Sequence, residues 1–144
     1  MVGKGIGIFG ICAILVIAIS ITPAFALTEL ERTSIVDPRL VNAFGAPVSD
    51  KINVNQQIQI SADITNHQTK SQNFVYLVQI KNNADIVVSL GWISGQLTPD
   101  QKLSPSLSWS PNESGEFIAE IFVWDGLKNH SALSEYTQLS IRVS

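Results

Sequence analysis

The chain has 144 residues, 45% hydrophobic and only 15% charged, with a net charge of −3 and a single cysteine, Cys12. That length suits one domain behind a short targeting segment. The mild acidity speaks against nucleic acid and anionic lipid surfaces as partners, since both ask for clustered Lys and Arg. One thiol excludes a disulfide framework within the chain, so the fold rests on its core alone.

In chain order, Lys4 precedes an apolar run over 6–21, Pro23 breaks the run, and Ala24-Phe25-Ala26 follows. Basic start, short greasy segment, breaker and small-x-small site are the order of a secretory signal. It predicts a hydrophobic signal helix within 1–26 and cleavage after Ala26. The run is short for a membrane span, which takes roughly 20 apolar residues. The membrane is therefore a partner only if the segment stays uncleaved. Cleavage removes Lys4 and Cys12 and moves the net charge from −3 to −4. The expected location is extracytoplasmic, either secreted or at the cell surface. Lys4-Gly5-Ile6 also resembles the prepilin site of archaeal type IV pilins. That resemblance implies an alternative, a filament subunit keeping residues 6–26 as its stem. Pro23 would interrupt such a stem near its end, which counts against it.

Residues 27–38 read as a polar lead-in that ends at Asp37-Pro38, because the residue before proline is pushed out of the helical region. From Leu40 the pattern has period two, and strands are predicted at 40–45, 57–65, 73–81, 85–94, 103–110, 116–124 and 138–144. Over 57–65, Ile58, Ile60, Ala62 and Ile64 share one face while Gln57, Gln59, Ser61, Asp63 and Thr65 share the other. Over 103–110, Leu103, Pro105, Leu107 and Trp109 alternate with four serines. Pro105 cannot donate to a ladder, which puts that strand at a sheet edge. Turn residues separate the strands at 81–83, 95–100, 111–115 and 125–126. Seven short strands, with no helical period after residue 33, predict an all-β fold: a seven-stranded antiparallel sandwich over 39–144.

Trp109-Ser110-Pro111, followed by Gly115-Glu116-Phe117 opening an alternating strand, resembles the late half of immunoglobulin-like and fibronectin type III-like modules. It is similar above all to cell-adhesion-related domains of secreted archaeal and bacterial surface proteins. The opening stretch over 40–48 is similar to first strands in secreted archaeal proteins. The resemblance covers nearly all of the chain after residue 26 and implies an immunoglobulin-like sandwich serving adhesion. Its motifs specify a fold rather than an activity. In that family the position of Phe117 is often Tyr, whose hydroxyl ties the corner to the backbone. Phe117 leaves the corner to packing.

Catalytic signatures are missing from the sequence. It holds no Gly-x-Ser-x-Gly elbow, no phosphate loop, no zinc-finger spacing and no cysteine after Cys12. A non-enzymatic protein without a cofactor is expected. His67 and His130 fall in loops that share one pole of such a sandwich, with Asp125 and Glu135 bordering it. A His/His/carboxylate metal site is allowed there, and a metal-binding extracytoplasmic domain is a second alternative. Two solvated loop histidines are the plainer reading, because no ligand spacing supports the site. Asn112-Glu113-Ser114 and Asn129-His130-Ser131 are glycosylation sequons, placed at opposite poles.

The sharper signal is a second apolar face. The strands over 73–81 and 116–124 are neighbours in this fold class. Besides the inward Phe74, Tyr76, Val78, Ile80, Phe117, Ala119, Ile121 and Val123, they carry Val75, Leu77, Ile118, Phe122 and Trp124 on the opposite side. Only Gln79 and Glu120 break that outer set. A contiguous patch rich in aromatics marks a contact surface for a protein or cell-surface partner, or for self-association. The competing expectation is that the lead-in, with Leu30, Ile35 and Val36, folds over the patch, helped by Leu127 and Leu133. The function expected is an exported binding, adhesion or accessory module of the cell envelope.

Overall fold

The computed structural model describes Gly3 and residues 26–144. The expected signal helix and pilin-like stem lie outside the described residues. A single 3-10 turn at Glu29–Glu31 leads into nine strands: β1 (Thr33–Val41), β2 (Lys51–Ile52), β3 (Ile58–Asn66), β4 (Gln72–Asn82), β5 (Val87–Leu97), β6 (Lys102–Leu103), β7 (Ser106–Trp109), β8 (Gly115–Trp124) and β9 (Thr137–Val143). They form two sheets. One carries β3 between β1 on one side and β6 with β7 on the other; the second runs β2-β9-β8-β4-β5. The pairing is antiparallel except between β2 and β9.

The core follows from the period-two pattern. Ile58, Ile60, Ala62 and Ile64 of β3 pack against Phe74, Tyr76, Val78 and Ile80 of β4 and Phe117, Ala119, Ile121 and Val123 of β8, all buried. The Tyr76 hydroxyl donates to the Ile60 carbonyl at 3.2 Å and so bridges the two sheets. Burial pushes that phenol well above its ordinary pKa. Phe117 meets Trp109 edge-on with ring centroids 5.2 Å apart, so the corner between the sheets is closed by packing.

The strands differ from the sequence expectation at several points, one being β5, which runs on to Leu97 through residues 95–97 read as part of a turn. Among the described residues the count is nine rather than seven. Pro105 splits the expected 103–110 strand into β6 and β7, and the short β2 joins the second sheet beside β9. Pro105 keeps a structural task, since its carbonyl accepts a 3.0 Å hydrogen bond from Ser61 Oγ. The first strand starts at Thr33, inside the segment read as lead-in, and ends at Val41. Asp37-Pro38 does not stop it. The register shifts between Val36 and Arg39, with Asp37 at φ +54°, so the chain passes the proline as a bulge. Asn42 then closes a turn whose side-chain oxygen accepts from the Phe44 and Ala46 amides.

Candidate functional site: the outer face of the five-stranded sheet

The register of β4 with its two neighbours decides what shares the outer face. Val75 lies opposite Trp124 of β8 and Ser94 of β5. Leu77 lies opposite Phe122 and Trp92. Tyr136, just ahead of β9, stacks on Phe122 at 5.2 Å and 20°. Phe122 also tilts against Trp124 at 5.8 Å, and His130 points its edge at Trp124 from 5.9 Å. An apolar row thus crosses the sheet through Tyr136, Phe122, Leu77 and Trp92. Val75 and Leu77 are its floor, only 3% and 6% exposed, whereas Trp92 at 51% and Tyr136 at 52% stand out into solvent.

The other half of the face is polar. Gln79 lies between Glu120 and Leu90, and its amide donates to Glu120 at 3.4 Å. Lys81 pairs with Glu120 at 3.0 Å and with Asp85 at 3.4 Å. The hydrogen bond to Glu120, aided by Asp85, holds the Lys81 ammonium above its ordinary pKa. Arg142 reaches Glu116 at 2.9 Å. Ile118 sits in this half, between Lys81 and Ser140, at a cleft of about 270 Å³ shared with Glu116 and Arg142. Of the five residues singled out in the sequence, Val75, Leu77, Phe122 and Trp124 converge, and Ile118 is set apart by the Gln79–Glu120 row.

Trp92 and Tyr136 complete the aromatic half, Leu90 borders it opposite Gln79, and none of the three was among the expected residues. Leu90 and Trp92 do alternate correctly in the sequence. Local period cannot say, however, that their strand borders β4. Tyr136 precedes its strand by one residue and carries no period at all.

The lead-in does not cover this face. Residues from Thr33 onward pair with β3 in the other sheet, and Arg32 pins the preceding turn by donating to Ser131 Oγ and the Ala132 carbonyl at 2.9 and 3.1 Å. Leu133 is fully buried in the core. Leu127 stays exposed at the rim of an open cleft of about 580 Å³, whose walls include Asn73, Val75, Ser94 and Asn129.

The histidines have separate surroundings. His67 Nε2 is 2.8 Å from Ser34 Oγ, and His130 lies against Trp124. The Asp125 carboxylate accepts from Gln72 at 3.0 Å and Asn129 at 3.4 Å. Among the described residues no three His, Cys, Asp or Glu side chains come together as a metal-binding group. Asn112 is exposed in the turn between β7 and β8, and Asn129 is exposed in the loop before β9, so the two sequons sit beyond opposite ends of β8. No helix among the described residues is long and apolar enough to cross a membrane.

No protein-family model matches the chain, and no curated protein matches it. Solved structures do. The C-terminal domain of wzt superposes with a TM-score of 0.61 at 13% identity, over 78% of this chain and 74% of that one. The CARDB domain of a Pyrococcus furiosus protein, solved in complex with di-metal ions, gives 0.53 at 15% identity, over 82% of this chain and 97% of that one. A cycloisomaltooligosaccharide glucanotransferase from Paenibacillus sp. gives 0.61 at 14% identity, with 77% of this chain matching 14% of the enzyme. The fold is an immunoglobulin-like β-sandwich. At such identities the likeness speaks for the fold alone.

Proposed function

We propose that this chain is a non-enzymatic, exported binding module of the cell envelope or extracellular space. The observation that carries the reading is the aromatic half of the outer face. Half-exposed rings of Trp92 and Tyr136 flank a packed floor of Val75 and Leu77, and the row opens onto the cleft beside Leu127. Exposed aromatics over a rigid, preorganised sheet are what interface anchors need, because little side-chain freedom is lost when they are covered. The export part of the reading rests on the sequence of residues 1–26. Asn112 lies beyond the end of β8 away from the cleft, so a glycan there leaves the sheet face free for contact, whereas a glycan on Asn129 would stand in the wall of the cleft beside Leu127.

Co-sedimentation with isolated host envelopes tests the binding. The wild-type chain should bind saturably. Trp124→Ser and Trp92→Ser, checked for folding by circular dichroism, should lose most of that binding. Equal binding by both variants would sink the proposal. N-terminal sequencing of native protein tests the export: a start at Leu27 is expected, and a start at Ile6 in a sedimenting fraction would turn the reading to a filament subunit.

A further inference from the structure

The four outer edges of the two sheets are not alike. β1 carries a bulge, Pro38, and the charges of Asp37 and Arg39. The opposite edge of that sheet is cut into β6 and β7 by Pro105. In the five-stranded sheet one edge is β2, a two-residue strand that includes Lys51. Each is a recognised way of keeping an open edge from pairing with another chain. The fourth edge, β5, has no proline, no charge and full length, and its one irregularity is a register shift at Val88, near its start. It is 11 residues long and keeps regular register with β4 from Ser89 to Leu97. The fourteen residues 86–99 include no charge, and the only proline among them, Pro99, falls after the strand ends. Val87, Val88, Leu90, Trp92 and Ile93 are all exposed along it.

We propose that β5 pairs antiparallel with β5 of a second copy of this chain, joining two five-stranded sheets into one of ten strands. Three observations favour a second copy over a foreign strand. An antiparallel pair of identical strands has a two-fold axis, so the edge is its own complement. Residues 26–144 carry a net charge of −4, since Lys4 is the one charge outside them, so two copies repel in general. The charge-free edge is where they approach without carboxylates meeting. The row Tyr136–Phe122–Leu77–Trp92 also ends at this edge, so pairing continues it into the row of the partner copy. The paired edge would be roughly 37 Å long at about 3.4 Å per residue. That is narrower than a standard interface, and a reversible monomer–dimer equilibrium is expected. The proposal concerns the edge and stands whether or not the outer face binds a further partner.

Sedimentation of the full chain in mild detergent over a range of concentrations is the test. The wild type should pass from monomer to dimer. Leu90→Lys/Ser94→Lys, which sets lysines toward each other across the axis, should weaken dimerisation about tenfold or more. Mixing it with Leu90→Glu/Ser94→Glu should restore a heterodimer. Ser94→Lys alone, at an exposed polar position, serves if the double variant does not fold. Hydrogen exchange should slow within residues 87–97 as concentration rises. A chain that stays monomeric overturns the proposal, as does association that all these variants leave unchanged. So does a monomer whose β5 amides slow only when envelope extract is added, which would assign the edge to a foreign strand. Trp124→Ser should abolish envelope binding and leave the dimer intact, so the two proposals fail separately.

Discussion

The two outer faces of the sandwich come from the same strand alternation and end as opposite surfaces. On the four-stranded sheet, Asp63 of β3 organises the face. Ser104 donates to it at 2.6 Å, Arg39 at 3.0 Å, and Lys102 pairs with it at 3.2 Å. The Ser104 hydrogen bond, with help from the two cations, draws the Asp63 carboxyl down to about 2. Both edges of that sheet are thereby tied to its central strand by polar contacts. On the five-stranded sheet the equivalent positions of β4 hold Val75 and Leu77, and the tie is apolar. A polar clasp satisfies itself and leaves little for a partner to gain. An aromatic row satisfies itself only on its floor and leaves half of each flanking ring in water, where a partner still gains by covering it.

The largest expected effect breaks the apolar side. Leu77→Ala should cost about 2–4 kcal/mol in chemical denaturation, the range for emptying a packed site, although Leu77 lies on an outer face. A cost below about 1 kcal/mol would show that the row is not packed. Next comes the polar side. Asp63→Asn should cost about 1 kcal/mol at neutral pH, a modest figure because solvent screens the clasp. Its pH dependence has a definite sign. The folded-state value lies below the ordinary 3.8, so the stabilisation is complete above that range and is lost as pH falls toward about 2. Wild type and Asp63→Asn should therefore converge in stability over that acid window.

A smaller effect is expected at the start of β1, just after the 3-10 turn. Thr33 Oγ1 and Ser134 Oγ are buried without hydrogen-bond partners in the chain. Thr33→Val keeps the shape and removes an unsatisfied hydroxyl, so it should be neutral or should stabilise by up to about 1 kcal/mol. The smallest sharpens the comparison most. Trp92→Ser should change stability by less than about 0.5 kcal/mol, because half the ring is already in water. Thermal unfolding of Leu77→Ala and Trp92→Ser side by side separates the floor of the row from its exposed rim.

The inward faces were legible in the sequence because period-two alternation over β3, β8 and β9 follows burial, whereas β4 is buried on both faces from Phe74 to Val78. The start of β1 was not. Asp37-Pro38 reads as a stop, and only pairing with β3 shows that an edge strand tolerates it as a bulge. The grouping of Val75, Leu77, Phe122 and Trp124 was legible once β4 and β8 were taken as neighbours. The isolation of Ile118 was not, because it depends on Lys81 and Ser140 lying directly opposite and on ion pairs that fill the row between. Trp92 was hidden for a related reason: which sheet receives β5 is a matter of chain topology, and no property of residues 85–94 encodes it.

The β4–β5 pair also bears on how the chain reaches this structure. Its register runs from Gln72 opposite Leu97 to Lys81 opposite Val87, closed by a short turn in which Asn82 caps the amides of Ala84 and Ile86. Every other strand pairing joins segments that lie farther apart in the chain, so this hairpin has the lowest loop-closure cost and is expected to form first. During synthesis it would stand alone, with both edges open, until β8 arrives to cover β4. The nascent chain is then most exposed to mispairing at its earliest structured element, and slow emergence of β8 would lengthen that window.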